Sequence, residues 1–311
     1  DDGVSHINVA GPVGAGVGVQ LGVLEDASFE TGYSADINFN VVDDANDITA
    51  ALSGDTTGAM DNAASMIVSG GTATVTDAAD IQGVAEYDSG ASSYTITDSA
   101  DAVLTASNES TILNDGVSGV VVTDATGAGY VDAAAGADLS ALEVQLDGVS
   151  NNTQSDIVFR VEDSASAIAA ELSSDNTLLD GANDLEVAGG ITDIDGGFDI
   201  QSSAGYDAAN SDYAIEDSSA AILGDTGTVV DAGVSDVVVT DATGAGYVNA
   251  ADGADLSALE VEMRAANGDA TSDIVFRVED SASAVAAELA SDNTLLDGAN
   301  DLEVDGGITD I

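Results

Sequence analysis

The chain repeats itself. Residues Gly116–Ile194 recur as Gly233–Ile311 at an offset of 117, with 63 identities in 79 positions. A chain built this way must form the same local structures more than once and bury their faces against one another. A third, diverged copy opens the sequence. Gly3-Val-Ser-His-Ile-Asn-Val matches Gly116-Val-Ser-Gly-Val-Val-Val, and Asp36-Ile-Asn-Phe-Asn-Val matches Asp156-Ile-Val-Phe-Arg-Val. The units therefore run 3–115, 116–232 and 233–311. The third is incomplete, so the 311 residues are expected to be a window on a longer chain. Each unit divides into two half-units of about 55–65 residues, marked by one theme: Val42-Asp-Asp-Ala, Tyr94-Thr-Ile-Thr-Asp-Ser-Ala, Val161-Glu-Asp-Ser-Ala, Tyr213-Ala-Ile-Glu-Asp-Ser-Ser and Val278-Glu-Asp-Ser-Ala.

Within a unit, Asp156-Ile-Val-Phe-Arg-Val-Glu162 alternates apolar and polar residues with β-branching, a strand signal. Asp163-Ser-Ala then places a capping residue before Ala167, Ile168, Ala170 and Leu172, a short helix. Leu185-Glu-Val187 and Val237-Val-Val-Thr240 read as further strands, so strand, short helix and strand make a crossover unit. Leu142-Glu-Val-Gln-Leu146 and Ile157–Val161 read as a hairpin, whose counterpart in the last unit holds Asn267-Gly268, a two-residue turn signal. Residues 145–154 differ from 262–271 at every position while their flanks barely change, which predicts an exposed loop. The expected class is mainly β with short helices (α+β repeats), arranged as a tandem array, either solenoid-like or of beaded β domains.

Charge sets the partners. There are 58 Asp and Glu against three arginines and no lysine, a formal charge of -55. That excludes nucleic acid, whose binding rests on Lys and Arg, and anionic membrane surfaces for the same reason. Self-repulsion on this scale must be screened, by molar salt or by bound divalent cations. Aspartate outnumbers glutamate and sits beside glycine, which suits oxygen-ligand loops for calcium. With 44% hydrophobic residues in short patterned runs, the chain is expected to fold. It has no cysteine, hence no disulfide or thiolate chemistry. No apolar run reaches the roughly 18 residues of a membrane span, so membrane insertion is not expected. No signal peptide opens the sequence, so export would need one removed earlier or placed elsewhere.

Gly189-Gly-Ile-Thr-Asp-Ile-Asp-Gly-Gly-Phe-Asp199 is the leading metal candidate. Asp193, Asp195 and Asp199 sit among glycines at spacings that let a loop wrap calcium, and Asp310 repeats the start of the motif. Asp124 and Asp241, in Val-Thr-Asp-Ala-Thr-Gly-Ala-Gly, suit either an Asx-type turn or a loop ligand. Asp98, Asp163, Asp217 and Asp280, in the Asp-Ser theme, are expected to cap helices. His6, the only histidine, is expected on an exposed strand edge, and a zinc site or Ser-His-Asp arrangement built on histidine is ruled out. Asn108-Glu-Ser110 and Asn151-Asn-Thr153 match the glycosylation pattern. Paired carboxylates are too common here to single out a hydrolase, and near-identical copies supply no unique catalytic constellation, so no enzyme is expected.

The recurring Tyr-x-Ile-x-Asp-Ser-Ala followed by Val-x-Val-Thr-Asp-Ala resembles the β-strand-repeat regions of large bacterial type I-secreted surface proteins, including S-layer-like proteins, giant adhesins and RTX-related chains. The resemblance covers essentially the whole chain, but regular calcium nonapeptides are missing. It implies an extracellular, cell-surface structural protein that folds on calcium and associates with itself into a polymer or array, with surface polysaccharide as a further partner. Two alternatives stay open: the spacer of an adhesin whose binding domain lies elsewhere, and a halophilic surface protein without specific calcium sites.

Overall fold

Strand after strand in the described residues pairs in parallel with its neighbour. Parallel neighbours cannot be joined by a tight turn, so a crossover must separate them, and here the crossovers carry helices. The computed structural model describes residues 6–30, 36–149, 156–175, 177–243, 246–268, 273–291 and 296–305. The chain divides into two compact units, residues 1–131 with 138–160, and residues 132–137 with 161–311. The repeat boundaries near 116 and 233 fall inside these units.

The first unit runs β1 (His6–Asn8), α1 (Ala15–Glu30), β2 (Asp36–Asn38), β3 (Asn40–Asp43), α2 (Ala45–Gly54), β4 (Ser65–Val68), β5 (Thr72–Ala73), α3 (Val75–Gly83), β6 (Tyr94–Asp98), α4 (Ala100–Val103), α5 (Glu109–Ile112) and β7 (Val117–Val122). α6 (Ala133–Val149) and β8 (Asp156–Val158) come next. Its sheets are β1-β2, β3-β4 and β5-β6-β7-β8. The second unit, which also takes residues 133–137 at the start of α6, begins within β9 (Arg160–Asp163) at residue 161 and runs through α7 (Ala165–Leu172), β10 (Asp184–Thr192), α8 (Ile194–Ser202), β11 (Asp212–Asp217), α9 (Ser219–Gly224), α10 (Thr226–Val229) and β12 (Val234–Val239). It continues with α11 (Ala250–Asn267), β13 (Asp273–Val275), β14 (Arg277–Ser281), α12 (Ala282–Ser291) and β15 (Asp301–Asp305). There β9 to β13 lie side by side in chain order, and β14 pairs with β15.

This corrects the expected class. Among the described residues helix outweighs strand, 46% to 26%, so the fold is α/β and not mainly β. Nor do the described strands form one tandem array, since they fall into five separate sheets. The misreading came from the period. The expected strand Leu142–Leu146 lies inside α6, where Leu139, Leu142 and Leu146 are buried at helical spacing. In α11 the same positions are Leu256, Leu259 and Met263, also buried. Asn267-Gly268 is therefore no hairpin turn. Gly268, at φ +65°, closes α11 in the left-handed conformation that ends many helices.

The long helices fit their strands through one glycine. A Cβ on Gly18, Gly136 or Gly253 would stand 2.7, 2.5 or 2.5 Å from Cγ2 of Val41, Val161 or Val278. No larger residue allows that approach. Each of these valines comes after a break in its strand at a buried phenylalanine, Phe39, Phe159 or Phe276. The single strand expected over Asp156–Glu162 is broken at Phe159 into β8 and β9, which lie in different sheets, and the short helix α7 is present with Ser164, not Asp163, as its cap, while β10 and β12 form where strands are expected. His6 lies on β1, opposite Asp36. A half-buried polar network also recurs. Gln82 Nε2 donates to Tyr94 Oη at 2.7 Å and to the Thr111 carbonyl at 2.8 Å, and Gln201 makes the same bonds to Tyr213 and Thr228, both at 2.8 Å.

Candidate functional site

The first N–H of a helix has no partner within that helix. In seven helices of the described residues an aspartate from the end of the following strand or the turn after it accepts it. Asp43 reaches Ala15 N at 3.0 Å, Asp98 reaches Val75 N at 3.0 Å, and Asp163 reaches Ala133 N at 3.1 Å. Asp217 reaches Ile194 N at 3.2 Å, and Asp280 reaches Ala250 N at 3.1 Å. Asp124 and Asp241 reach Ala100 N and Ser219 N, both at 2.8 Å.

In the first five, the other carboxylate oxygen accepts the N–H of the next residue, at 2.6–3.0 Å. Each such aspartate ties its own strand end to the helix before it. The positive end of that helix favours the charge. Those two bonds hold the Asp280 carboxyl below the ordinary aspartate value, the Ala250 N–H contributing most. The capping expected of Asp98, Asp163, Asp217 and Asp280 is real, but it serves the preceding helix. The helix on the other side takes its cap from serine at Ser99, Ser164 and Ser218.

The expected calcium residues have other settings. Asp193–Asp199 is not a loop. Asp193 caps α8, accepting from Gly196 N at 2.8 Å, and Asp195 and Asp199 lie in the helix. All three line a shallow groove of about 370 Å³ against α7. Asp124 and Asp241 are the helix-start acceptors just described, and Asp241 also accepts from Ser219 Oγ at 2.9 Å. Asp310 lies outside the described residues, as does Asn151. Asn108 donates its amide to the Ala102 carbonyl at 2.8 Å, which opposes glycosylation there. The variable stretch expected to be a loop instead includes the last turns of α6 and α11.

Two other acidic clusters bring their oxygens within 4.8 Å and could hold a metal ion. The first is Asp43, Asp44 and Asp47, at the junction of β3 and α2. Asp44 caps α2 through Asp47 N at 2.9 Å. The charge of Asp44, then that of Asp43, pushes the exposed Asp47 carboxyl up. The second is Asp184, Glu186 and Asp207. The first two share a face of β10 by their two-residue spacing, and Asp207 is brought alongside by its N–H bond to the Leu185 carbonyl, 2.9 Å. Both are all-oxygen donor sets of the kind a hard cation takes.

Repetition concealed both. At the places of Asp43, Asp44 and Asp47 the other copies have Asp163, Ser164, Ala167 and Asp280, Ser281, Ala284. The run Asp43-Asp44-x-x-Asp47 was nevertheless a visible signal, three acids around one helix start. Asp207 meets Asp184 only through a parallel register that its sequence position does not reveal.

Glu260 was also missed. Only 2% exposed on α11, it pairs with Arg264, which approaches Asp273 at 3.7 Å. Burial pushes its carboxyl up, Arg264 opposes this and Asp273 adds to it. Glu260 and Ser257 border a polar cleft of about 400 Å³ with Asp297 and Asn300. Glutamate holds the same helical position in each long helix, at Glu25, Glu143 and Glu260, a signal carried by the repeat itself. No helix of the described residues is long and apolar enough to cross a membrane. No protein-family model, curated protein or solved structure matches the chain.

Proposed function

We propose that this chain is a structural component of an extracellular filament, S-layer or surface matrix, stabilised by calcium and assembled by self-association. The observation that carries this reading is the aspartate tie between each strand end and the preceding helix. It appears in both compact units, so carboxylates are committed to architecture at equivalent positions and not gathered into one singular site. Calcium takes the Asp43, Asp44, Asp47 and the Asp184, Glu186, Asp207 clusters, where hard oxygen donors converge and where bound charge relieves the repulsion acting on Asp47. The acidic surface and the resemblance of the repeat theme to secreted surface proteins support an extracellular location.

Sedimentation velocity in chelator and in millimolar calcium tests the assembly. Calcium-dependent, elongated species are expected, whereas a monodisperse monomer of low asymmetry in both conditions would overturn the reading. Fractionation of the source cells tests the location, and recovery in the cytosol alone would refute it.

A further inference from the structure

Two copies of one helix place opposite charges at the same position. α11 carries Arg264 where α6 carries Asp147. The residues around it are shared: Ser257, Glu260 and Asp273 in one copy, Ser140, Glu143 and Asp156 in the other. In α11 the guanidinium pairs with Glu260 and stands 3.7 Å from Asp273 of β13, and Ser257 lines the same cleft. Arg264 is thus the counter-cation of two carboxylates, one from a helix and one from a strand.

In α6 that cation is missing. Glu143, Asp147 and Asp156 bring three negative charges to the place where Glu260, Arg264 and Asp273 leave one. Glu143 feels both neighbours. Burial pushes its carboxyl up, the Ile157 N–H opposes this, and the charges of Asp156 and then Asp147 add to it. Like charges that are partly desolvated need a partner. The chain has no lysine to supply one, and Arg160 donates instead to the Gly127 carbonyl and the Tyr130 hydroxyl. Ser140 lies one turn before Glu143 on the same helix face. It is 7% exposed, and its hydroxyl, like that of Ser257, has no hydrogen-bond partner among the described residues.

We propose that Glu143, Asp147 and Asp156, with the Ser140 hydroxyl, bind a calcium ion in the place that the Arg264 guanidinium fills in the other copy. Three carboxylates and a hydroxyl make the all-oxygen set a hard divalent cation takes. One such ion brings the local charge from three negative to one, the value that the α11 copy reaches with its arginine. The inference deepens the calcium reading and rests on it for the identity of the ion.

The test exchanges the two residues in the full chain. By equilibrium dialysis, Asp147→Arg should bind one calcium ion fewer than the wild type. Its Tm in chelator should rise, and the further rise in millimolar calcium should shrink. Arg264→Asp should do the reverse, gaining an ion and losing stability in chelator that calcium restores. Asp147→Ala with Asp156→Ala, both at exposed positions, should also lose one ion, and this variant decides the matter if Asp147→Arg does not fold. A higher Tm in chelator with an unchanged ion count would mean that the arginine relieves repulsion where no ion sits, and the proposal would fall. Calcium bound equally by wild type and variants removes this site alone. No calcium bound by the wild type would remove it together with the calcium part of the proposed function.

Discussion

Asp217 holds two backbone N–H groups that belong to different stretches of chain, Ile194 and Ser218. Removing a helix-end acceptor costs about 0.5–2 kcal/mol, and here a second N–H is orphaned with it. Asp217→Ala should therefore destabilise the protein by about 1–2 kcal/mol in urea melts, and Asp217→Asn, with one acceptor oxygen left, by less. A loss no larger than that from alanine at the exposed Asp195 would refute the tie. Asp47 presents the opposite case, since its neighbours Asp44 and Asp43 push its carboxyl up. Asp47→Asn should raise Tm in chelator at neutral pH, and the gain should vanish in calcium if the ion binds this cluster. At this scale the sequence was informative about type and blind to partner. An aspartate before serine at a strand end announces a cap, but the helix it caps lies 23 to 30 residues back in the chain.

Helix and strand also meet through half-buried polar side chains, and Gln201 is the clearest instance. Its amide bridges the Tyr213 hydroxyl and the Thr228 carbonyl, joining α8, β11 and α10. Burial pushes the Tyr213 hydroxyl up to about 12, against the opposing bond from Gln201. Gln201→Leu removes the donor to both acceptors, leaving Tyr213 only its bond with Tyr206, and the expected loss is about 1–3 kcal/mol by chemical denaturation. The same change at the exposed Gln145 should be near neutral, and equal effects at the two positions would refute the bridge. Short elements were legible because each carries its own start signal, as the Asp163-Ser164 junction does for α7. The long helices were not, because Leu-Glu-Val-Gln-Leu satisfies the strand pattern over five residues and shows its helical period only over twelve. Asn267-Gly268 then reinforced the error, since one dipeptide ends helices as readily as it turns hairpins.

Over the whole chain, a charge of -55 opposes compaction, and the ties to helix ends answer only part of it. Composition alone shows this load, but not where the carboxylates converge, because that depends on parallel register between distant segments. The pH dependence is set by the direction of the individual shifts. Asp47, Glu143 and Glu260 have raised folded values. Their contribution is present below the unfolded value and is lost as pH rises through the folded one. Asp55, Asp175 and Asp280 have lowered values. They contribute above the ordinary aspartate value of 3.8 and lose it as pH falls through the folded value. Without divalent cations, Tm should therefore rise from neutral pH into the mildly acidic range and fall again below about 3.8. Millimolar calcium should move the optimum back toward neutrality, because its ligands must be ionised. Molar sodium chloride should flatten the neutral side without moving the optimum, since screening acts on every exposed pair alike. Melts monitored by circular dichroism from mildly acidic to neutral pH in chelator, calcium and salt separate these cases. If calcium and salt gave the same curve, the acidic clusters would be screened without being ligated, and calcium would be removed from the proposed function with the fold left intact.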